Sequence, residues 1–493
     1  MKVAALIAGL CLAFPVWAQH NTSASHDDLM ALLQQRMAQQ QIPALQVAVI
    51  EHGKVVELAA LGTANVENGV PATNDSVFSI NSCTKAFTGV AVMQLVEAGK
   101  IKLGDPIGLY LDDLPPAWRA LTIRQLMTHT SGLPNIIDEQ ENLLGGENEA
   151  LSWSKVKALP FEFAPGERYR YNQTGYVLIG KIIEKLSGES FVQFVENHQF
   201  KPAGLKHTRF GDSSDVVAHS AGAYTYSRNE GGKWLTGTRL AIAYVTFPAY
   251  FRPAAGILST AGDIAQWLQA LQGGKLLKDK ASLQAMWSPY VLNNGTTQGP
   301  NDLLNGSALG WPVTVRGAHR AAGPIGGMRS AFFVYPEDAL SVVVLTNLQG
   351  VNPELFIDDI AGLYVPAMHP STGFGLPPEV LPLRTALLQR GFEQAPQVWA
   401  EFQARDAQAL PGEEALNVWG YKLSSQQQLP QALAILRLNA SVHPASWNAY
   451  DSLAEILEQA GDRQGAIANY GKSLALNAGN SHASERLRAL QAR

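Results

Sequence analysis

The stretch Ser82-Cys83-Thr84-Lys85, with the run from Ala86 to Ala98 behind it, constrains this chain more than any other. Ser82 and Lys85 are spaced to share a helix face, where Cβ atoms three apart lie roughly 5–6 Å from each other. The run carries Ala86, Phe87, Val90, Ala91, Val92, Met93, Leu95 and Val96, apolar nearly all round, and Gly99 stops it. A helix of that kind is buried. A lysine early in such a helix is costly unless it is neutral or partnered. This suggests Lys85 as the group that activates Ser82 as a nucleophile. Free N–H groups and the positive dipole end at a helix start also suit an oxyanion. The plainer alternative is a serine N-cap followed by a snorkelling surface lysine. Spacing alone does not decide between them. Ser152 with Lys155, and Ser154 with Lys157, share it without opening a long apolar run.

The chain has 493 residues, 46% hydrophobic and 16% charged, room for a large domain and a smaller one. Its formal net charge of −5, with no long basic run, argues against nucleic acid as a partner. Lys2, the apolar stretch Val3 to Phe14 and Val16-x-Ala18 read as a signal peptide, residues 1–18. That run is short for a membrane span, which needs about 20 residues. No integral membrane segment is expected after cleavage, and the expected location is periplasmic or secreted, in a bacterium. Cys11 leaves with the signal, so Cys83 has no internal partner; it reads as a small buried filler, with a rival reading as a nucleophile. There is no His-Glu-x-x-His, cysteine cluster or phosphate loop, so neither metal nor cofactor is expected.

Along the chain, Asp27 or Asp28 is positioned to cap a helix through Leu29, Leu33 and Met37. Leu45 to Ile50 and Lys54 to Leu58 form a hairpin around Glu51-His52-Gly53. Thr260-x-x-Asp263 is a capping box, and Ser341 to Leu345 reads as a central strand. These patterns predict an α+β fold, an antiparallel sheet packed by helices. A Pro/Gly-rich linker spans 368–382, and residues 383–493 are helical in pattern. There Leu429 to Leu433 maps onto Arg463 to Ile467 with a tetratricopeptide-like period. The expected repeats are 412–445 and 446–479. Two is below the usual three, so they must lean on the helices at 383–408 or on the main domain.

Phe78-Ser79-Ile80-Asn81-Ser82-Cys83-Thr84-Lys85-Ala86-Phe87-Thr88 resembles the nucleophile segment of the serine β-lactamase and penicillin-binding-protein superfamily. More narrowly it is similar to the branch of class C β-lactamases, DD-peptidases and family VIII esterases, which implies the β-lactamase-like transpeptidase fold, an antiparallel sheet flanked by helices with an all-helical domain beside it. The resemblance continues through Leu95 to Pro106, His129 to Pro134, Pro165-Gly166-Glu167, Gly256 to Thr260 and Val344 to Asn347, and it covers the domain 25–367. It implies Ser82 as nucleophile, Lys85 as its partner, and Tyr171 as base or proton shuttle within Tyr171-Asn172-Gln173. Tyr169 is the rival on the same strand face. Gln173, where the branch has asparagine, and Asn172 are the implied substrate contacts. His129 is read as a loop histidine, with a catalytic base as the alternative.

The third motif of the branch has no clean match. An ungapped count gives Ala321-Ala322-Gly323 followed by Pro324, which has no N–H to donate. A gapped count gives Pro324-Ile325-Gly326 with Gly327 as oxyanion donor, and this is preferred because glycine permits close approach. His319 is a further candidate for the missing cation. The implied activity is an exported serine hydrolase working through an acyl-enzyme on an ester, amide or β-lactam carbonyl. The alternative is a wall-peptide or penicillin binder with little turnover. The implied partners are a small-molecule or peptide substrate and a protein bound through the C-terminal repeats.

Overall fold

The computed structural model describes residues 25–491 apart from 231–232 and 427; the segment read as a signal peptide lies outside the described residues. The chain divides into two compact units, residues 1–368 and 369–493.

The first unit is built on an antiparallel sheet. β1 (Ala44–Glu51) and β2 (Lys54–Asn65) form the expected hairpin, and β3 (Val70–Pro71) extends it. β4 (Phe78–Asn81) leads into α2 (Thr84–Glu97), and α1 (His26–Gln40) precedes the hairpin. The cap of α1 is Ser25, which accepts from Asp28 N, rather than either aspartate. α3 (Ile123–Met127) carries a full capping box between Thr122 and Gln125. α4 (Glu149–Lys157) holds both other Ser-x-x-Lys matches on a short helix. α5 is Thr174–Ser187.

Later in the unit, β5 (Arg209–Phe210) and β4 flank β8 (Ile257–Ser259), and β6 (Tyr224–Glu230) pairs with β7 (Lys233–Ile242). α6 (Ala261–Gln272) is capped by Thr260, but the expected box is only half made. Asp263 turns its carboxylate to His207 N and Thr208 Oγ1 instead. β9 (Ile325–Gly326), β10 (Ser330–Tyr335) and β11 (Leu340–Thr346) complete the main sheet, before α7 (Glu354–Tyr364). Its order is β9-β10-β11-β1-β2-β3, antiparallel throughout. β11 is central and buried at every position, with Val47 facing Val344 and Phe332 facing Val343.

Helix α2 runs through the core as its composition requires. Every residue from Thr84 to Met93 is buried. Phe87 stacks on Trp267 of α6 at 3.9 Å. Gly89 allows the 309–310 backbone to come so close that a Cβ there would lie 2.4 Å from Leu309 O.

The second unit is helical: α8 (Leu381–Arg390), α9 (Ala395–Arg405), α10 (Glu413–Ser425), α11 (Leu429–Val442), α12 (Trp447–Gln459), α13 (Arg463–Leu476) and α14 (Ser481–Gln491). The pair α12–α13 repeats the bounds of α10–α11, Glu413 to Trp447 and Leu429 to Arg463 being equal steps. Ala432 and Ala466 are fully buried at matching places. α8 and α9 share the core with the paired helices through Leu383, Leu387, Val398 and Trp399.

Candidate active site

β4 is brought to the end of the core by its pairing with β8, and the chain turns there before α2 begins. Thr84 secures the turn. Its Oγ1 donates to Asn81 O at 2.6 Å and accepts from Ile257 N at 3.2 Å. Ser82 thus lies in the turn, two residues before the first helical residue, and it is partly exposed. Asn81, just before it, is held in the left-handed region at φ 46°.

Three polar groups converge. Lys85 Nζ lies 3.4 Å from Ser82 Oγ and donates to Ala254 O at 2.8 Å. Tyr171 Oη donates to Ser82 Oγ at 2.8 Å. Lys85 also sits over the rings of Tyr171 and Tyr176, at 4.8 and 5.1 Å from their centroids. Lys85 is only 4% exposed, and burial holds its ammonium well below the usual lysine range. Tyr171 is 38% exposed over the whole residue, yet desolvation around its hydroxyl pushes the phenol the other way, to about 12, against the pull of Ser82 and Gln173. Burial thus eases the loss of the Lys85 proton while it keeps the neighbouring phenol protonated. A lysinium strong enough to ionise the tyrosine is not what this burial produces.

The Tyr171 segment is held by the loop after α3. Arg170 N donates to His129 O, Asn172 N to His129 Nδ1, and Gln173 N to Asn135 Oδ1. His129, 6% exposed, packs its ring against Tyr171 and Tyr176, and burial together with Lys85 pushes its pKa well down. These contacts suit the reading of His129 as a loop histidine. Tyr169 lines the same cleft, but it is Tyr171 whose hydroxyl reaches Ser82.

The cleft measures about 760 Å³ and is lined by Ser82, Lys85, Tyr171, Gln173, Gly326 and Gly327 among others. Asn172 is not among its walls. Its amide is committed to Leu133 O and Gly175 N, so it braces the loop instead of facing a substrate. His319 is not brought to the cleft either; its Nδ1 pairs with Asp338 Oδ1 at 2.8 Å. Gly326 is pressed against the Ser82 turn, where a Cβ would lie 2.0 Å from Ile80 O and 2.9 Å from Cys83 N. Cys83 itself is fully buried, with its thiol toward Pro324 O and Ser330 O. Among the described residues no cluster suited to a metal ion is found.

Sequence reasoning passed over two cleft residues. Arg329 is 2% exposed and Glu354 5%. Arg329 Nη1, Glu354 Oε2 and Gln173 Oε1 are buried with no hydrogen-bond partner among the described residues. The available signal was a charged residue set against the apolar run Ala331 to Val334.

The family profile described as Beta-lactamase matches residues 29–365. Protein flp of Staphylococcus aureus (strain MW2) is 25% identical over 334 residues, 66% of this chain and 64% of that protein. Penicillin-binding protein 4* of Bacillus subtilis (strain 168) is 29% identical over 259 residues, 51% of this chain and 57% of that one. The chain thus spans less than two thirds of the length of these relatives. Among solved structures, the octameric penicillin-binding protein homologue from Pyrococcus abyssi superposes with a TM-score of 0.57 at 26% identity, covering 69% of this chain and 77% of that one. The D-amino acid amidase from Ochrobactrum anthropi SV3 gives 0.57 at 22% identity over 70% of this chain and 99% of that one, a likeness of fold alone.

Proposed function

The chain belongs to the beta-lactamase family, and on that premise we propose that it is a serine hydrolase acting through an acyl-enzyme on an ester, amide or β-lactam carbonyl. The observation that carries this is the convergence of a buried lysine and a protonated tyrosine on Ser82 Oγ, at 3.4 and 2.8 Å.

In this reading Lys85, its basicity lowered by burial and its amine oriented by Ala254 O, takes the proton of Ser82 as its Oγ attacks the carbonyl carbon. The N–H groups of Ser82 and Gly327 receive the oxyanion. Tyr171 passes a proton to the leaving group and is reprotonated from Lys85. Water, activated by the same pair, then clears the acyl group. Asn172 and His129 hold Tyr171 in place, and Gln173 offers its unpaired amide oxygen to an N–H of the acyl side chain. Ser82→Ala is expected to abolish both p-nitrophenyl ester hydrolysis and labelling by a fluorescent penicillin. Residual turnover in that variant would rule the mechanism out.

A second reading has one observation in its favour. The β9 strand beside Ser82, Ile325–Gly326, carries neither lysine nor histidine. A protein acylated at Ser82 without release, using the site to bind wall peptides, fits that loss. A panel of nitrocefin and p-nitrophenyl esters separates the two, since stoichiometric labelling without turnover favours the binder. The equal helix steps of the second unit support a tetratricopeptide-type array that recruits a protein partner. Residues 1–18 support export to the periplasm or beyond. No described helix is long and apolar enough to cross a membrane.

A further inference from the structure

Arg329 is an unusual residue to find where it is. It sits between β9 and β10, 2% exposed, and it lines the cleft that holds Ser82. Its backbone is pinned to the end of the central strand, for its carbonyl accepts from both Thr346 N (2.8 Å) and Thr346 Oγ1 (3.0 Å). Its side chain is given to one residue. With the Asn81 amide oriented to satisfy both of its ends, Asn81 Oδ1 accepts from Arg329 Nε at 3.2 Å and Nη2 at 3.1 Å, while Nδ2 donates to Ser79 Oγ at 2.6 Å. Among the described residues no carboxylate pairs with the buried charge and Nη1 has no partner, and burial alone brings the guanidinium down to about 10. A neutral, apolar side chain would cost less in such a place.

Asn81 is also unusual. It precedes Ser82 with φ 46°, a conformation that costs most residues energy but that asparagine tolerates. Gly327 makes room for its amide, since a Cβ there would lie 1.8 Å from it. A short chain of contacts therefore runs from Thr346 on the central strand, through Arg329, to the residue whose conformation aims the nucleophile.

We infer that Arg329 is a positioning residue of this site, its two donors clamping Asn81 in the left-handed conformation that directs Ser82 Oγ toward Lys85 and Tyr171. The inference rests on Ser82 being the nucleophile and adds a residue that acts through Asn81 without touching substrate.

The test uses the full-length protein and two readouts: the second-order rate of Ser82 labelling by a neutral fluorophosphonate, and kcat and KM for p-nitrophenyl acetate. The variants are Arg329→Gln, Arg329→Lys, Asn81→Gly and the double variant Asn81→Gly/Arg329→Gln. A misaimed nucleophile costs rate more than binding, so both Arg329 variants are expected to label roughly ten- to a hundred-fold more slowly with KM little changed. Lysine keeps the charge but cannot converge two fixed donors on one oxygen. Glycine at 81 removes both the backbone penalty and the acceptor. In that background Arg329→Gln is expected to cost less than about two-fold, because the two residues act as one unit. Equal slowing in both backgrounds overturns the inference. So does a lowered melting temperature with labelling at the wild-type rate. Should Arg329→Gln fail to fold, Arg329→Lys carries the same comparison. A wild-type protein that does not label at Ser82 overturns the nucleophile itself, a different result from labelling that the variants leave unchanged.

Discussion

Lys85 shows how a single residue sets chemistry against stability. Its ammonium is held well below the lysine range by burial, so between its folded value and the unfolded value of about 10.4 the unfolded chain binds the extra proton. The contribution of this residue to stability therefore rises with pH across that window, and below it the folded state bears the full cost of a buried charge. Lys85→Met is expected to abolish ester hydrolysis while raising the melting temperature at pH 7, with the gain shrinking toward pH 10; calorimetry across pH reads this directly. In the wild type, kcat/KM should rise with pH through a limb below the ordinary lysine range, as the amine loses its proton. Gly326→Ala is a test by volume. The added methyl meets Ile80 O and Cys83 N, and relief moves either β9 or the Ser82 turn. A loss of about 1–3 kcal/mol in urea denaturation is expected, together with slower Ser82 labelling.

At the scale of elements, short pieces hold the site more than long ones do. α3 is only Ile123–Met127, yet the loop it launches holds the Tyr171 segment through His129 and Asn135. Its start depends on the Thr122–Gln125 box. Thr122→Ala is expected to cost about 1 kcal/mol, measured by urea denaturation, and to lower kcat without removing Ser82 labelling. Much of this scale was legible in the order of residues: the β1–β2 hairpin, the buried α2 helix and the central β11 strand follow from apolar patterns that admit few partners. The Asp263 half of the α6 box was not. A local pattern cannot register that His207 N and Thr208 Oγ1, distant in the chain, compete for the same carboxylate.

At the scale of the molecule, every residue that lines the cleft falls between Asn81 and Glu354, inside the first unit. A chain ended at Met368 is expected to retain p-nitrophenyl ester hydrolysis within about two-fold per molecule, the second unit having its own core; loss of activity in a folded fragment would show that the helical unit takes part in the chemistry. The sequence by itself determined which side chains are available for the proposed chemistry. Ser82 and Lys85 lie three apart at the head of a run too apolar to be anything but buried, and Tyr171 stands in a motif whose spacing survives. Tertiary structure decided which of the other candidates line the cleft. Asn172 and His319 have suitable groups, but their bonds are spent on Leu133, Gly175 and Asp338. Arg329, marked in the sequence only as a charge beside an apolar run, reaches Asn81 because β9 and β10 fold back against the β4 turn. Hydrogen-bonding capacity belongs to a residue, but where it is used depends on which strands become neighbours, and that is settled only when the sheet closes.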